Sequence, residues 1–293
     1  MKQTYHFSKY HGLGNDFIIF DGINQRIDLD FIQKNASQIC DRNFGIGGDG
    51  IMVVLASEDC DLAMKIYNAD GTSPEMCGNG LRCFARFCYD HKLIETDVFS
   101  VQTDAGKMIP ALIIKDGDVV AIEIDMGMPQ YDLKLMPDNS LIYPQSLMLF
   151  GNNCEGHFVS MGNPHLVVFV ADIEDSSEGY LVTLKDKKSY LFKDIIVELY
   201  KQSGIESVNV EFVKIIDKNH CKMIVHERGV GETLACGTGA CAVVVAGSFC
   251  NQLARKVTVD QPGGSVVIEW QDSDNHVIKT GPVTPVFEGH FML

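Results

Sequence analysis

No stretch of the 293-residue chain is apolar for long enough to cross a membrane. The most apolar run, Ala240 to Cys250, spans 11 residues against about 20 for a spanning helix, and so predicts an enclosed core helix. The opening residues, MKQTYHFSKYHGLGNDF, lack the apolar segment and cleavage site of a secretory signal, and a cytoplasmic protein is expected. Basic residues are scarce as well. Lys plus Arg number 24 against 39 Asp plus Glu, a formal charge of −15, and no Lys/Arg cluster is present. That balance argues against nucleic acid and anionic membranes as partners. Phosphate-loop signatures are missing: no Gly-x-Gly-x-x-Gly opens a helix and no Gly is followed by Lys-Ser/Thr. The ten cysteines form no Cys-x-x-Cys, and no His pair stands at zinc-finger spacing, so no metal site is expected. In a reducing compartment most of these thiols stay free and act as small buried hydrophobes. At 46% apolar and 22% charged residues, the rest is the composition of a globular protein long enough for two domains.

What the chain does contain, twice, is a cysteine directly before Gly-x-Gly and a run of helix formers. Residues 75–84 read EMCGNGLRCF and residues 234–242 read LACGTGACA, which places Cys77 and Cys236 in like positions. At the first turn of a helix the leading N–H groups have no intrahelical partner, and the macrodipole adds positive charge. Both favour a thiolate, and the same donors can hold a carboxylate. Two copies in one chain suggest two cysteines facing one substrate.

The rest of the chain divides around these stretches. HGLGND (11–16) is a turn before the apolar strand Phe17–Phe20, with Asn15 at its mouth either as a turn cap or a ligand contact. Apolar positions 32, 36, 39 and 40 predict one helix over 29–40, capped by Asp28 or Asp30. Strands follow at 51–55 and 62–68, then an amphipathic helix over 79–90 and hairpins at 98–103, 108–114 and 119–126. The segment from Pro129 to about Ser146 holds three prolines and reads as a loop, with a domain boundary near residue 122. The second half repeats the pattern: strands 157–162 and 165–170, a charged surface excursion over 171–188, a helix near 191–202, and strands 207–216 and 221–228. The Cys236 turn, an all-round apolar helix and a closing hairpin around Gly263-Gly264 complete it. Asn68 lies nine residues before Cys77, and Glu227 nine before Cys236, both at strand ends. This is an internal duplication, and two such halves meeting face to face would bring both helix starts to one cleft.

Two thiols suit a specific task. The α-carbon of an amino acid is a very weak acid, and without pyridoxal phosphate an enzyme needs a strong positioned base and a stabilised carbanion-like transition state. A thiolate on one face takes the proton and a thiol on the other returns one, inverting the centre. The helix-end N–H groups hold the carboxylate on which charge accumulates.

The motifs HGLGNDF (11–17), FGIGGDG (44–50), YNADG (67–71), MCGNGLRCFARF (76–87), SMGNPH (160–165), HERGVGETLACGTGA (226–240), PGG (262–264) and TGP (280–282) run along essentially the whole chain. In these the sequence resembles diaminopimelate epimerase. The resemblance implies an α/β fold of two pseudo-symmetric domains, each a curved mixed or antiparallel sheet wrapped around a central helix. The expected division is 1–122 plus 282–293 against 123–281. The implied reaction is cofactor-independent conversion of L,L-diaminopimelate to the meso form, feeding lysine and peptidoglycan synthesis. Carried over by position, Cys77 is the proton donor and Cys236 the acceptor in that direction. Gly78, Asn79, Gly237 and Thr238 supply donors to the reacting carboxylate. Glu227 and His165 bear on the reacting centre, Glu227 as partner of the α-ammonium. Asn15, Asn68, Asn163, Asn209 and Arg228 grip the far amino-acid end. Gly50 stands where some members carry a substrate-contacting Gln, and Phe287 where some carry a dimer-contact Tyr, so a homodimer is expected. Read alone, His165 also suits a satisfied strand histidine, Glu227-Arg228 a local ion pair, and Asn209 a turn cap. Two rivals remain open: a proline racemase-like enzyme, for which a His is expected in place of Asn79, and a thiol sensor in which Cys77 and Cys236 form a disulfide.

Overall fold

Runs such as DFIIF and GIMVVL are apolar at consecutive positions, which is what a strand covered on both faces requires. The computed structural model describes residues 4–74, 77–130, 142–201 and 207–292, and such strands form the centre of each of its two units. The first unit comprises Met1–Asp125 and Thr280–Leu293, the second Met126–Lys279.

In the first unit the elements run β1 (Thr4–Gly12), β2 (Asn15–Asp21), α1 (Leu29–Lys34), α2 (Ala36–Cys40), β3 (Gly50–Leu55), β4 (Leu62–Asn68) and α3 (Gly78–Asp90). Two short hairpins follow: β5 (Val101–Thr103) with β6 (Gly106–Met108), and β7 (Ala111–Lys115) with β8 (Asp118–Asp125). The second unit runs β9 (Ile142–Leu149), β10 (Asn152–Ser160), β11 (Pro164–Val170), β12 (Asp172–Ser176), β13 (Gly179–Thr183), β14 (Ser189–Leu191), α4 (Phe192–Leu199), β15 (Asn209–Asp217), β16 (His220–Glu227), β17 (Gly231–Thr233), α5 (Gly237–Phe249), β18 (Lys256–Gln261), β19 (Gly264–Trp270) and β20 (Val277–Gly281). The last strand, β21 (Thr284–Met292), pairs antiparallel with β1 from Thr4–Met292 onward and so belongs to the first unit. Phe287 sits on it, half-exposed, edge-on to Phe7.

The same topology is built twice. In the first unit the strand order is β1-β2-β3-β4-β5-β6, and the pairings alternate antiparallel, parallel, antiparallel, parallel, antiparallel. In the second the order β10-β11-β15-β16-β18-β19 repeats those pairings. The 13-residue helices α3 and α5 follow β4 and β17 and each start from a cysteine. Side-chain parity assigns the faces. Ile18, Phe20, Ile51 and Val53 point to a core closed by Ile32, Ala36 and Ile39 of α1 and α2. Leu166, Val168, Val210 and Phe212 point to a core closed by α4. The intervening residues of β2 and β3 face α3, and those of β11 and β15 face α5. Nine consecutive residues of α5, Gly239–Gly247, are buried, in keeping with its lack of any polar stripe.

Three elements differ from their sequence reading. The helix expected over 29–40 is two, because Asn35 donates its side-chain amide to Phe31 O at 2.8 Å and ends the first; Asp28 caps α1 by accepting from Phe31 N at 3.0 Å. The segment 171–188 is exposed at most positions, as expected of a surface excursion, but it is built as strands and anchored to the core. Its apolar residues recur at period two within a charged sequence, giving the sheet β12-β13-β14, and Ile173, Val182 and Leu184 are buried against α4. Within the stretch read as a loop, 131–141 lies outside the described residues, but β9 begins at Ile142. Pro144 is accommodated because β9 is an edge strand.

Candidate active site

Each repeat ends its fourth strand at a polar residue and then turns into a helix whose N-cap is a cysteine. Both cysteines have extended backbone angles, as N-caps do. Cys77 Sγ accepts from Gly80 N at 3.4 Å, and Cys236 Sγ accepts from Gly239 N at 3.4 Å. The glycines make this contact possible. A Cβ on Gly239 would stand 2.6 Å from Glu211 Oε1 and 3.2 Å from Cys236 Sγ, and one on Gly80 would stand 2.0 Å from Met52 Cε. The first turn of each helix is thus pressed onto the sheet with no room for a side chain between.

In the first unit Asn15 opens β2 and joins two groups. Its Nδ2 donates to Asp49 Oδ2 at 2.7 Å, and its Oδ1 lies 3.8 Å from Cys77 Sγ. Asp49 belongs to a wider network. Arg42 donates to both oxygens of Asp16 at 3.0 and 2.7 Å and to Asp49 at 2.8 Å, while Lys9 Nζ lies 2.8 Å from Asp16. Burial raises the Asp16 carboxyl, but the hydrogen bonds and charges of Arg42 and Lys9 outweigh it and bring the group down to about 2. Asn68 ends β4, exposed, donating to Thr72 Oγ1 at 2.9 Å and paired across the ladder with Gly50. Gly78 begins α3 and Asn79 is buried one residue on.

In the second unit Asn163 Oδ1 lies 3.0 Å from His165 Nε2, and His165 Nδ1 lies 2.7 Å from Glu211 Oε1. Both His165 and Glu211 are fully buried. Asn209 holds a turn together: its Nδ2 donates to Pro164 O at 3.0 Å, and its Oδ1 accepts from Arg228 N at 2.9 Å. These contacts match the capping reading of Asn209. The local ion-pair reading is not matched: Glu227 accepts from the Thr233 hydroxyl, and the exposed Arg228 guanidinium donates to Ser207 O at 3.1 Å. Gly237 begins α5, and Thr238 Oγ1 lies 3.6 Å from Cys236 Sγ.

Burial and the carboxylates of Glu227 and Glu211 push the Cys236 thiol well up, against the pull of Gly239 N–H and Thr238. The helix end alone favours thiolate, but at Cys236 it is outweighed. At neutral pH this sulfur carries its proton.

Four partners were not singled out by sequence reasoning: Glu211, Thr233, Asp49 and Gln261. Gln261 accepts from Cys236 N at 2.8 Å in a buried position. Gln261→Leu should lower stability by about 1–3 kcal/mol, because a buried N–H then has no acceptor; urea denaturation reads this as a lower midpoint at unchanged slope. Among the described residues no group of three or more His, Cys, Asp or Glu is placed to hold a metal ion, and no helix is long and apolar enough to cross a membrane.

The diaminopimelate epimerase family model matches residues 7–131 and 157–286. A diaminopimelate epimerase of Moorella thermoacetica is 42% identical over 291 residues, covering 98% of this chain and 99% of that one. The chain belongs to the diaminopimelate epimerase family. A Methanococcus maripaludis diaminopimelate epimerase is 40% identical over 286 residues, covering 97% of this chain and 98% of its own. A diaminopimelate epimerase-like fold is shared more widely: a phenazine biosynthesis protein of Bacillus anthracis superposes with a TM-score of 0.70 at 15% identity, over 99% of this chain and all of the other. As a member of the diaminopimelate epimerase family, the protein is an isomerase.

Proposed function

We propose that the protein interconverts L,L- and meso-diaminopimelate without a cofactor, through Cys77 and Cys236 acting on opposite faces of one α-carbon, and so supplies lysine and peptidoglycan synthesis. The observation that supports this most is the doubled cysteine cap: in a chain of this family, each repeat presents one sulfur at the start of an enclosed helix. In the L,L-to-meso direction Cys236 takes the α-proton as thiolate while Cys77 gives its thiol proton to the other face. One C–H bond breaks and one forms, and the two sulfurs exchange protonation states. The helix-start N–H groups at Gly78, Asn79, Gly237 and Thr238 hold the reacting carboxylate, where negative charge accumulates in the transition state.

Glu227 receives the α-ammonium. That contact has a second effect, since Glu227 is one of the charges that keep Cys236 protonated. An ammonium beside it offsets that charge and favours the thiolate, so Cys236 becomes a base when substrate is in place. Asn15, Asn68, Asn163, Asn209 and Arg228 take the distal amino-acid end, with Arg228 suited to its carboxylate.

The test is isotopic. Reduced protein incubated in deuterated water with either isomer should incorporate deuterium at the α-carbon, and both isomers should converge on one mixture, read by NMR. Reduced protein that neither exchanged the proton nor interconverted the isomers would end this reading.

A further inference from the structure

The two repeats can be aligned position by position from their strand registers. Phe17 pairs with Gly50 across the parallel β2–β3 ladder, and His165 pairs with Asn209 across β11–β15. Gly50 pairs with Asn68, and Asn209 stands beside the Glu227–Arg228 corner. Two residues further along, Met52 in β3 matches Glu211 in β15. Each is the side chain that fills the space under the first helix turn, Met52 beneath Gly80 and Glu211 beneath Gly239. The Cys77 turn rests on Met52 and the Cys236 turn on Glu211, while Phe17 and His165 hold matching positions on the neighbouring strands.

That exchange is costly for packing alone. A methionine floor needs no partner, whereas a buried carboxyl needs one for each oxygen. Glu211 has His165 on Oε1 at 2.7 Å, while its Oε2 is buried with no hydrogen-bond partner. The remaining nitrogen of His165 reaches Asn163 at 3.0 Å, so one carboxyl orients a chain of two further side chains. Glu211 Oε1 and Cys236 Sγ lie within 2.6 and 3.2 Å of one point, where a Gly239 Cβ would stand.

We propose that Glu211 is a positioning residue of this site. It fixes the His165 ring, through it the Asn163 amide, and gives the Cys236 turn an ionisable floor that the Cys77 turn lacks, so the fold itself makes the two thiols unequal. The proposal rests on the epimerase reading above. The groups that face Cys236 are Glu227 from β16, Glu211 from β15 with His165 behind it on β11, the neutral Gln261 from β18, and Gly239 N–H and Thr238 on α5. His157 of β10 lies at the other end of α5, against Cys250.

Two variants of the full-length chain test it. Glu211→Gln keeps an oxygen for His165 and removes the ionisable group. Glu211→Met with His165→Phe transplants the floor of the first repeat. Alkylation by iodoacetamide, followed peptide by peptide across pH, reads each thiol separately and does not depend on turnover. In Glu211→Gln the pH of half-alkylation at Cys236 should fall by about one pH unit or more, while that of Cys77 stays where it is in the wild type. Epimerisation should fall by about tenfold or more, with its pH profile displaced to the acid side. If Glu211→Gln does not fold, the double variant must show the same fall at Cys236. An unmoved Cys236 profile in a folded variant overturns the proposal, as does an equal shift at both thiols, which is the signature of general loosening. A wild-type protein that exchanges no α-proton sinks the epimerase reading instead, and the labelling result still decides the role of Glu211.

Discussion

Cys77→Ala and Cys236→Ala are each expected to lose epimerisation by about 10³-fold or more, with the fold retained. On the proposed mechanism each sulfur has two duties that must be separated. As an N-cap it accepts one helix N–H at 3.4 Å, and losing a cap costs about 1 kcal/mol. As the proposed acid or base it moves a proton, and such a role is worth about 10²–10⁴-fold. Serine separates the two. Its hydroxyl caps a helix better than a thiol does, yet it is a far weaker acid. Cys77→Ser and Cys236→Ser should therefore melt at or above the wild-type temperature while remaining inactive in the deuterium assay. Because the proposed mechanism uses both thiols in one turnover, the double alanine variant should be little worse than either single one. Wild-type turnover in any single variant would remove the two-base assignment.

Asp16→Asn should destabilise the first unit by roughly 2–4 kcal/mol. Breaking one side of a buried ion pair costs about 3–5 kcal/mol because the other charge is left uncompensated. The lower range applies because Arg42 is 57% exposed and can return to water, whereas Lys9, at 12%, cannot. The pH dependence follows from the sign of the shift. The folded-state carboxyl lies at about 2, below the ordinary value near 4. Its contribution is therefore complete above about pH 4 and is lost as pH falls toward 2. Guanidinium denaturation at pH 7, 4 and 2.5 should show the wild type losing its advantage over Asp16→Asn across that window. A constant difference between the two proteins would show that the network does not depend on the Asp16 charge. Since Arg42 also holds Asp49, and Asp49 holds Asn15, the same variant should weaken substrate binding if Asn15 has the role proposed for it.

The parts of the site legible in the sequence are those whose signal is local. A cysteine before Gly-x-Gly, and Asn68 and Glu227 at equal distances from it, can be read without knowing any strand register. Glu211 could not be found that way. It sits in SVNVEFVKII, where alternation places it inward, but its role depends on His165, 46 residues away and matched through a parallel ladder. Asp49, Thr233 and Gln261 share that difficulty, each being a partner supplied by another element. A signal for Glu211 was nonetheless present: a carboxylate at an inward position of a strand buried at both neighbours is expensive enough to demand a reason. The strands within the exposed segment 171–188 are hard to read for the opposite cause. Its charges dominate the composition, while the few apolar residues that dock it are only decisive once α4 is there to receive them.

The pairing of β21 with β1 has a consequence for biogenesis. One flank of β1 has its partner at the opposite end of the sequence, so during translation the first unit emerges with an open sheet edge and waits while the whole of the second unit is made. An unpaired edge of that kind is a template for association with other chains, and closing it late requires contacts of the longest sequence separation, the slowest to form. The second unit, continuous in sequence, carries no such delay.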